Sequence, residues 1–147
     1  MKLKVFLDTN VLLDALLDNR PGAVFSLAVL TMVKNNMLEA EVTTQSIVDA
    51  EYISHHYGTP RERFTAFIKE ISRYVNMDYI DATNIRWALE HSGGDFEDDA
   101  QYSSAFSWVC DYYLTWDKEM LKRTEFGNVL TVMTPKDFMA IVTAEGE

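Results

Sequence analysis

This chain of 147 residues predicts a three-layer α/β/α fold around a central parallel sheet, and three observations predict it. Short apolar runs of strand length alternate with longer segments whose apolar residues recur at helical spacing. Each apolar run leads into a helix start rather than into a hairpin turn, which is the pattern of parallel strands joined by right-handed crossovers. No internal repeat, low-complexity stretch or interdomain linker interrupts the alternation, so residues 1–147 read as one domain.

The elements follow in order. Residues 2–7 read as the first strand and 10–17 as a helix, with Asn19-Arg20-Pro21-Gly22 as a break. Residues 23–34 are apolar on most sides and predict a buried helix, and the alternating run 38–44 predicts the second strand. A helix over 46–56 comes next. Thr59, Pro60 and Glu62 have the N-cap, N1 and N3 spacing of a capping box, and Phe64, Phe67, Ile68 and Ile71 then share one helical face. Residues 74–80 give the third strand, 82–91 a helix stopped by Gly93-Gly94, and 95–110 a further helix. Residues 111–115 form the fourth strand, a short helix follows Asp117, 128–134 form the fifth strand, and Thr134-Pro135 opens the last helix.

Composition narrows the classes. Apolar residues make up 48% of the chain, ordinary for a globular protein, and no apolar run approaches a membrane span. The chain enters its first strand directly, without the pattern of a signal peptide, and its single cysteine, Cys110, suits a reducing cytoplasm. Cys110 lies in an apolar stretch and reads as packing. A net charge of −10 argues against a broad basic surface for nucleic acid, so any phosphate-backbone contact must be local. Arg20, Lys118, Lys122 and Arg123 are the candidates for it. His55, His56 and His91 lack zinc spacing, and Trp87, Trp108 and Trp116 read as packing.

Four carboxylates stand out because a parallel sheet would bring them together. Asp8 follows the first strand, Asp49 lies in the helix after the second, Asp98 lies in the opening turn of the helix before the fourth, and Asp117 follows the fourth. In such a sheet every strand-to-helix junction lies on one edge, where ligands bind near the point at which strand order reverses. Each acid has an ordinary alternative as a helix cap: Asp8 for the first helix, Ser46 with Asp49 at N3, Asp95 with Asp98 at N3, and Asp117 for the short helix. As a group they would repel one another unless a divalent cation joined them. Oxygen donors without histidine suit Mg²⁺ or Mn²⁺.

At these residues the chain resembles the PIN domain family, especially toxins of the VapC type. "FLDTNVLLDALL" is similar to the family's opening motif and places a metal-ligand acid at Asp8, with Asn10 in support. "TTQSIVDAEYI" resembles the second motif, with hydroxyls at Thr43 and Ser46 and the acid at Asp49; the family more often has Glu, which keeps Glu51 as a second candidate. "DFEDDAQYSSA" is similar to the third and places its acid at Asp98, with Asp99 where a small apolar residue is usual. "YLTWD" resembles the fourth, with Thr115 and Asp117, and "VMTPKDF" the final strand-to-helix turn. The resemblance implies a PIN-like fold and Mg²⁺- or Mn²⁺-dependent ribonuclease activity. It assigns metal ligation to Asp8, Asp98 and Asp117, and catalysis to these with Asp49. It further implies a homodimer, and an antitoxin as partner.

Other readings stand beside it. A haloacid-dehalogenase-type phosphatase would want a second aspartate where Asn10 stands. A response-regulator receiver would use Asp81 but lacks the paired acids after the first strand. A PIN-like scaffold that only binds a protein partner is the non-enzymatic alternative.

Overall fold

The structure, a computed structural model, describes residues 2–91 and 95–145. Five strands form one sheet: β1 (Lys4–Leu7), β2 (Glu39–Thr43), β3 (Asn76–Asp78), β4 (Tyr112–Leu114) and β5 (Thr131–Met133). Their order is β3-β2-β1-β4-β5, and every neighbouring pair is parallel. β1 is therefore central, and strand order reverses between β1 and β4.

Among the described residues seven α-helices connect and cover the strands: α1 (Thr9–Leu17), α2 (Ala23–Lys34), α3 (Thr44–His56), α4 (Arg61–Ile71), α5 (Ala82–Glu90), α6 (Phe96–Ser107) and α7 (Pro135–Glu145), and the short helix expected after Asp117 is a 3-10 turn at Met120–Lys122. β1 alternates between two cores, as the pleat requires. Val5 and Leu7 join a cluster with residues of α1, α2, α4 and α7, whereas Phe6 joins Tyr102 and Ala105 of α6. Helices thus cover both faces, giving the three-layer α/β/α arrangement of a PIN-like fold, and this explains why β1 reads as a continuous apolar run.

The break at 19–22 has a steric cause. A Cβ on Gly22 would lie 2.6 Å from an Asp14 carboxylate oxygen and 2.7 Å from the Trp116 ring, so only glycine lets α2 start this close to α1. Asp14 is itself buried and held by Arg20 at 3.0 Å.

Several boundaries differ from expectation. The predicted capping box at 59–62 does not form: Pro60 is the N-cap, Arg61 the first helical residue, and no side chain caps the turn. The Thr59 backbone N–H is committed to the Ser54 carbonyl, 2.9 Å away, which holds Thr59 in the preceding turn. Thr43 rather than Ser46 caps α3, because its hydroxyl accepts from the Ser46 N–H at 3.0 Å. α6 stops at Ser107, short of residue 110, where Val109 takes a left-handed φ of 57° and frees the chain to enter β4. Gly93-Gly94, the expected stop for α5, lies outside the described residues; α5 itself ends at Glu90. Among the described residues no helix is long and apolar enough to cross a membrane.

Candidate active site

Asp8, Asp49, Asp98 and Asp117 line one cleft of about 330 Å³, together with Thr9, Asn10 and Glu97. The cleft sits at the carboxyl ends of β1 and β4, where strand order reverses, as the crevice rule for open parallel sheets requires. Glu51 is not among its lining residues. Two residues along a helix turn the side chain by about 200°, so Asp49 and Glu51 cannot share a face.

A web of hydroxyls fixes the floor. Asp8 caps α1 by accepting the Thr9 N–H at 2.8 Å, and it accepts the Thr115 hydroxyl at 2.9 Å. Thr115 is fully buried and in turn accepts from the Asn10 amide at 3.1 Å and from the Asp117 N–H at 3.0 Å. The Asn10 carbonyl oxygen accepts the Trp116 N–H at 3.1 Å. Asn10 and Thr115 therefore lock the turn after β1 to the turn after β4. A second web centres on Ser46, whose hydroxyl lies 2.7 Å from Thr9 Oγ1, 3.1 Å from Thr43 Oγ1 and 2.7 Å from Gln101 Nε2. It ties α1, α3 and α6 together around the acids.

Local capping accounts for part of this, not all of it. Asp8 and Asp95 cap α1 and α6, and Asp117 accepts the Glu119 N–H at 2.9 Å. With Thr43 as cap, Asp49 lies beyond the first turn of α3, where the helix dipole no longer explains it. Its carboxylate accepts from Gln45 at 3.0 Å. Asp98 makes no cap with its own carboxylate: only its backbone N–H is used, donating to Asp95.

Electrostatics single out the cleft. Burial pushes Asp98 up to about 7, and the charges of Asp8, Asp95 and Asp117 push the same way against a small opposing pull from Arg123. Glu97 also rises to about 7, first because in its protonated form it hydrogen-bonds Asp49, then through burial and the charges of Asp49, Asp95 and Asp98. Burial raises Asp8 as well, outweighing the hydrogen bonds from Thr115 and Thr9. The Tyr113 hydroxyl is buried next to Asp8, near enough to favour its charge, yet without a well-formed hydrogen bond of its own. Glu97 was not singled out in the sequence. The acidic run of residues 95–99 was its signal, but nothing in that run says which acids face inward.

The basic candidates are mostly committed elsewhere. Arg20 pairs with Asp14, Lys122 with Glu119 at 3.1 Å, and Arg123 with both Asp99 and Glu125. Lys118 is exposed. The tryptophans pack as expected: Trp87 stacks on His91, Trp108 meets Phe6, and Trp116 meets Phe25. Asp81 closes a capping box with Asn84, an ordinary structural use that removes the receiver-like reading of it. Burial pushes the Cys110 thiol up to about 12, which makes it inert.

As a cation site the cleft has the right donor chemistry: carboxylate oxygens, the Thr9 hydroxyl and the Asn10 amide oxygen, with no histidine or thiol among its lining residues. Among the described residues, however, no group of three or more His, Cys, Asp or Glu side chains is already disposed to enclose a metal ion. An open site fits Mg²⁺, which keeps several waters and needs only one or two direct carboxylates.

Comparison with known proteins agrees with the fold. Residues 4–119 match the family model described as PIN domain. No curated protein matches the chain. Among solved structures, the toxin VapC20 of Mycobacterium tuberculosis, described as cleaving the sarcin-ricin loop, superposes with a TM-score of 0.64 at 11% identity, covering 79% of this chain and 92% of its own. PAE2754 of Pyrobaculum aerophilum gives a TM-score of 0.65 at 15% identity and covers 98% of both chains. A chain of the VapBC2 complex of Rickettsia felis, bound to promoter DNA, gives 0.59 at 15% identity over 90% of this chain and 98% of its own. At these identities the neighbours establish the fold, and the family match establishes membership: the chain belongs to the PIN domain family.

Proposed function

We propose that the protein is a Mg²⁺- or Mn²⁺-dependent endoribonuclease and the toxin of a toxin–antitoxin pair. The observation that carries this reading is the convergence of Asp8, Asp49, Asp98 and Asp117 in one cleft without a basic side chain among its lining residues. Carboxylates held against their own repulsion are a site prepared for a cation. The VapC20 toxin and a toxin–antitoxin complex of Klebsiella pneumoniae among the structural neighbours support a ribonuclease with an antitoxin partner, and pairing two copies of the chain would lengthen the groove available to RNA.

In this reading Asp8, Asp98 and Asp117 would hold the ion, one or two of them directly and the rest through its waters. When bound, the ion would neutralise charge building on the phosphate and acidify a water. Thr115 fixes the Asp8 carboxylate, and Asn10 fixes Thr115. Asp49 lines the cleft beside Glu97 and would take a proton from the attacking water. Water attack needs no ribose 2′-hydroxyl, so the products carry 5′-phosphate and 3′-hydroxyl ends.

The test is cleavage of a structured RNA with Mn²⁺. Wild type should cut, EDTA should stop it, and Asp8→Asn or Asp98→Asn should lower the rate at least ~100-fold with the fold intact. Full activity in either variant, or 2′,3′-cyclic phosphate ends, would overturn the assignment. The competing reading is a scaffold that only binds a protein partner. That reading predicts no cutting under any metal.

A further inference from the structure

A second cavity, of about 430 Å³, adjoins the acid cleft across Glu97, which lines both. Its lining includes Tyr79, Ile80, Ile85 and Phe96, from the turn after β3 and from α5 and α6. Tyr79 is 68% exposed and Phe96 48%, so two aromatic rings stand open to solvent beside the acids. Gln45 also lines this cavity, while its amide nitrogen donates to Asp49 of the cleft. The only charged residue in the lining is Glu97, so the cavity offers a phosphate no cationic side chain.

What such a cavity would take follows from how this chain could hold RNA. With a net charge of −10, and with Arg20 and Arg123 held in ion pairs to buried aspartates, phosphate neutralisation is left to the exposed Lys118 and Lys122 and can supply only part of the affinity. The remaining source is stacking of unpaired bases on aromatic rings, with hydrogen bonds to the base edge. A strand that seats one phosphate among Asp8, Asp98 and Asp117 carries the neighbouring nucleotide past Glu97. We infer that the cavity is a nucleobase subsite of the active site: an unpaired base next to the scissile phosphate stacks against Tyr79 and Phe96 while the Gln45 carbonyl oxygen accepts from its edge. The inference rests on the ribonuclease reading above and adds the substrate feature that the acids cannot read.

The probe is a short single-stranded RNA containing one 2-aminopurine, whose fluorescence falls when it stacks on an aromatic ring. Wild type should quench it in Mn²⁺ on mixing, before cleavage sets in, with a shallow dependence on salt. Tyr79→Ala and Phe96→Ala should each remove the quenching and weaken binding about tenfold. In metal they should raise KM by a similar factor and leave kcat nearly unchanged. Phe96→Tyr should retain both signals. Leu89→Ala, a change at a 66% exposed residue of α5 outside the cavity, should alter neither. If the alanine variants match wild type in quenching and KM while RNA is still cut, the base subsite is refuted and the cavity fits an apolar side chain of a protein partner instead. Quenching without cleavage would sustain the subsite and sink the nuclease reading. Neither signal from wild type would end both.

Discussion

Asp98 and Asp99 are neighbours on α6 and have opposite fates. Asp99 is buried, 1% exposed, and is met by the Arg123 guanidinium, which also pairs with Glu125 and lies over the rings of Trp87 at 5.7 Å and Tyr102 at 5.0 Å. Asp98 turns about 100° away into the cleft, where three other aspartates face it and burial raises its proton affinity to about 7. One carboxylate has its cation built into the chain. The other has no basic side chain among the residues that line its cleft, and in the proposed reading takes its cation from solution. The difference separates a structural ion pair from a prepared site, although both are aspartates in the first turns of one helix.

The largest effect should come from breaking the structural side. Arg123→Met strands a buried carboxylate and should destabilise the protein by about 3–5 kcal/mol, enough to lower Tm by roughly 10 °C or more. A thermal melt in EDTA checks it. A loss below ~1 kcal/mol would mean that the pair is no more than an exposed surface bridge.

The cleft should behave in the reverse sense. Asp98→Asn removes a repelled charge and should raise metal-free stability by roughly 1–2 kcal/mol at neutral pH, after discounting for the partial exposure of the site. The pH dependence has a definite sign. Glu97 and Asp98 hold protons up to about 7 in the native state, but only to their ordinary values of 4.5 and 3.8 when unfolded. Metal-free wild type is therefore most favoured by these groups below the unfolded values, and it loses that stability as pH rises through 7. Melts from about pH 4 to 8 should show the fall, and Asp98→Asn should flatten it. A destabilised Asn variant with an unchanged profile would mean that Asp98 serves its helix.

How far the sequence could reach follows the same division. Periodicity and strand-to-helix order are local, so the parallel sheet, its edge and the four cleft aspartates were legible before any coordinates. Helical phase decides between Asp49 and Glu51, but only once the helix is placed against the sheet. Glu97 was missed because an acidic run resembles a solvated face until packing shows which side turns inward. The pairing of Arg123 with Asp99 spans 24 positions and leaves no local trace. The failed cap at Thr59 was decided by the end of the preceding helix, whose closing backbone bond from Thr59 to Ser54 competes with the capping pattern on the other side.

The central claim is that the cleft holds a divalent cation in place of the cation that Asp99 finds in Arg123. Calorimetric titration of Mn²⁺ at about pH 6.5, in buffers of different ionisation enthalpy, tests it most directly. The account predicts saturable binding to wild type with release of about one proton per ion, as the acids raised to about 7 give up their protons, and much weaker binding to Asp98→Asn. Equal binding by the two proteins, or binding to wild type without proton release, would contradict it.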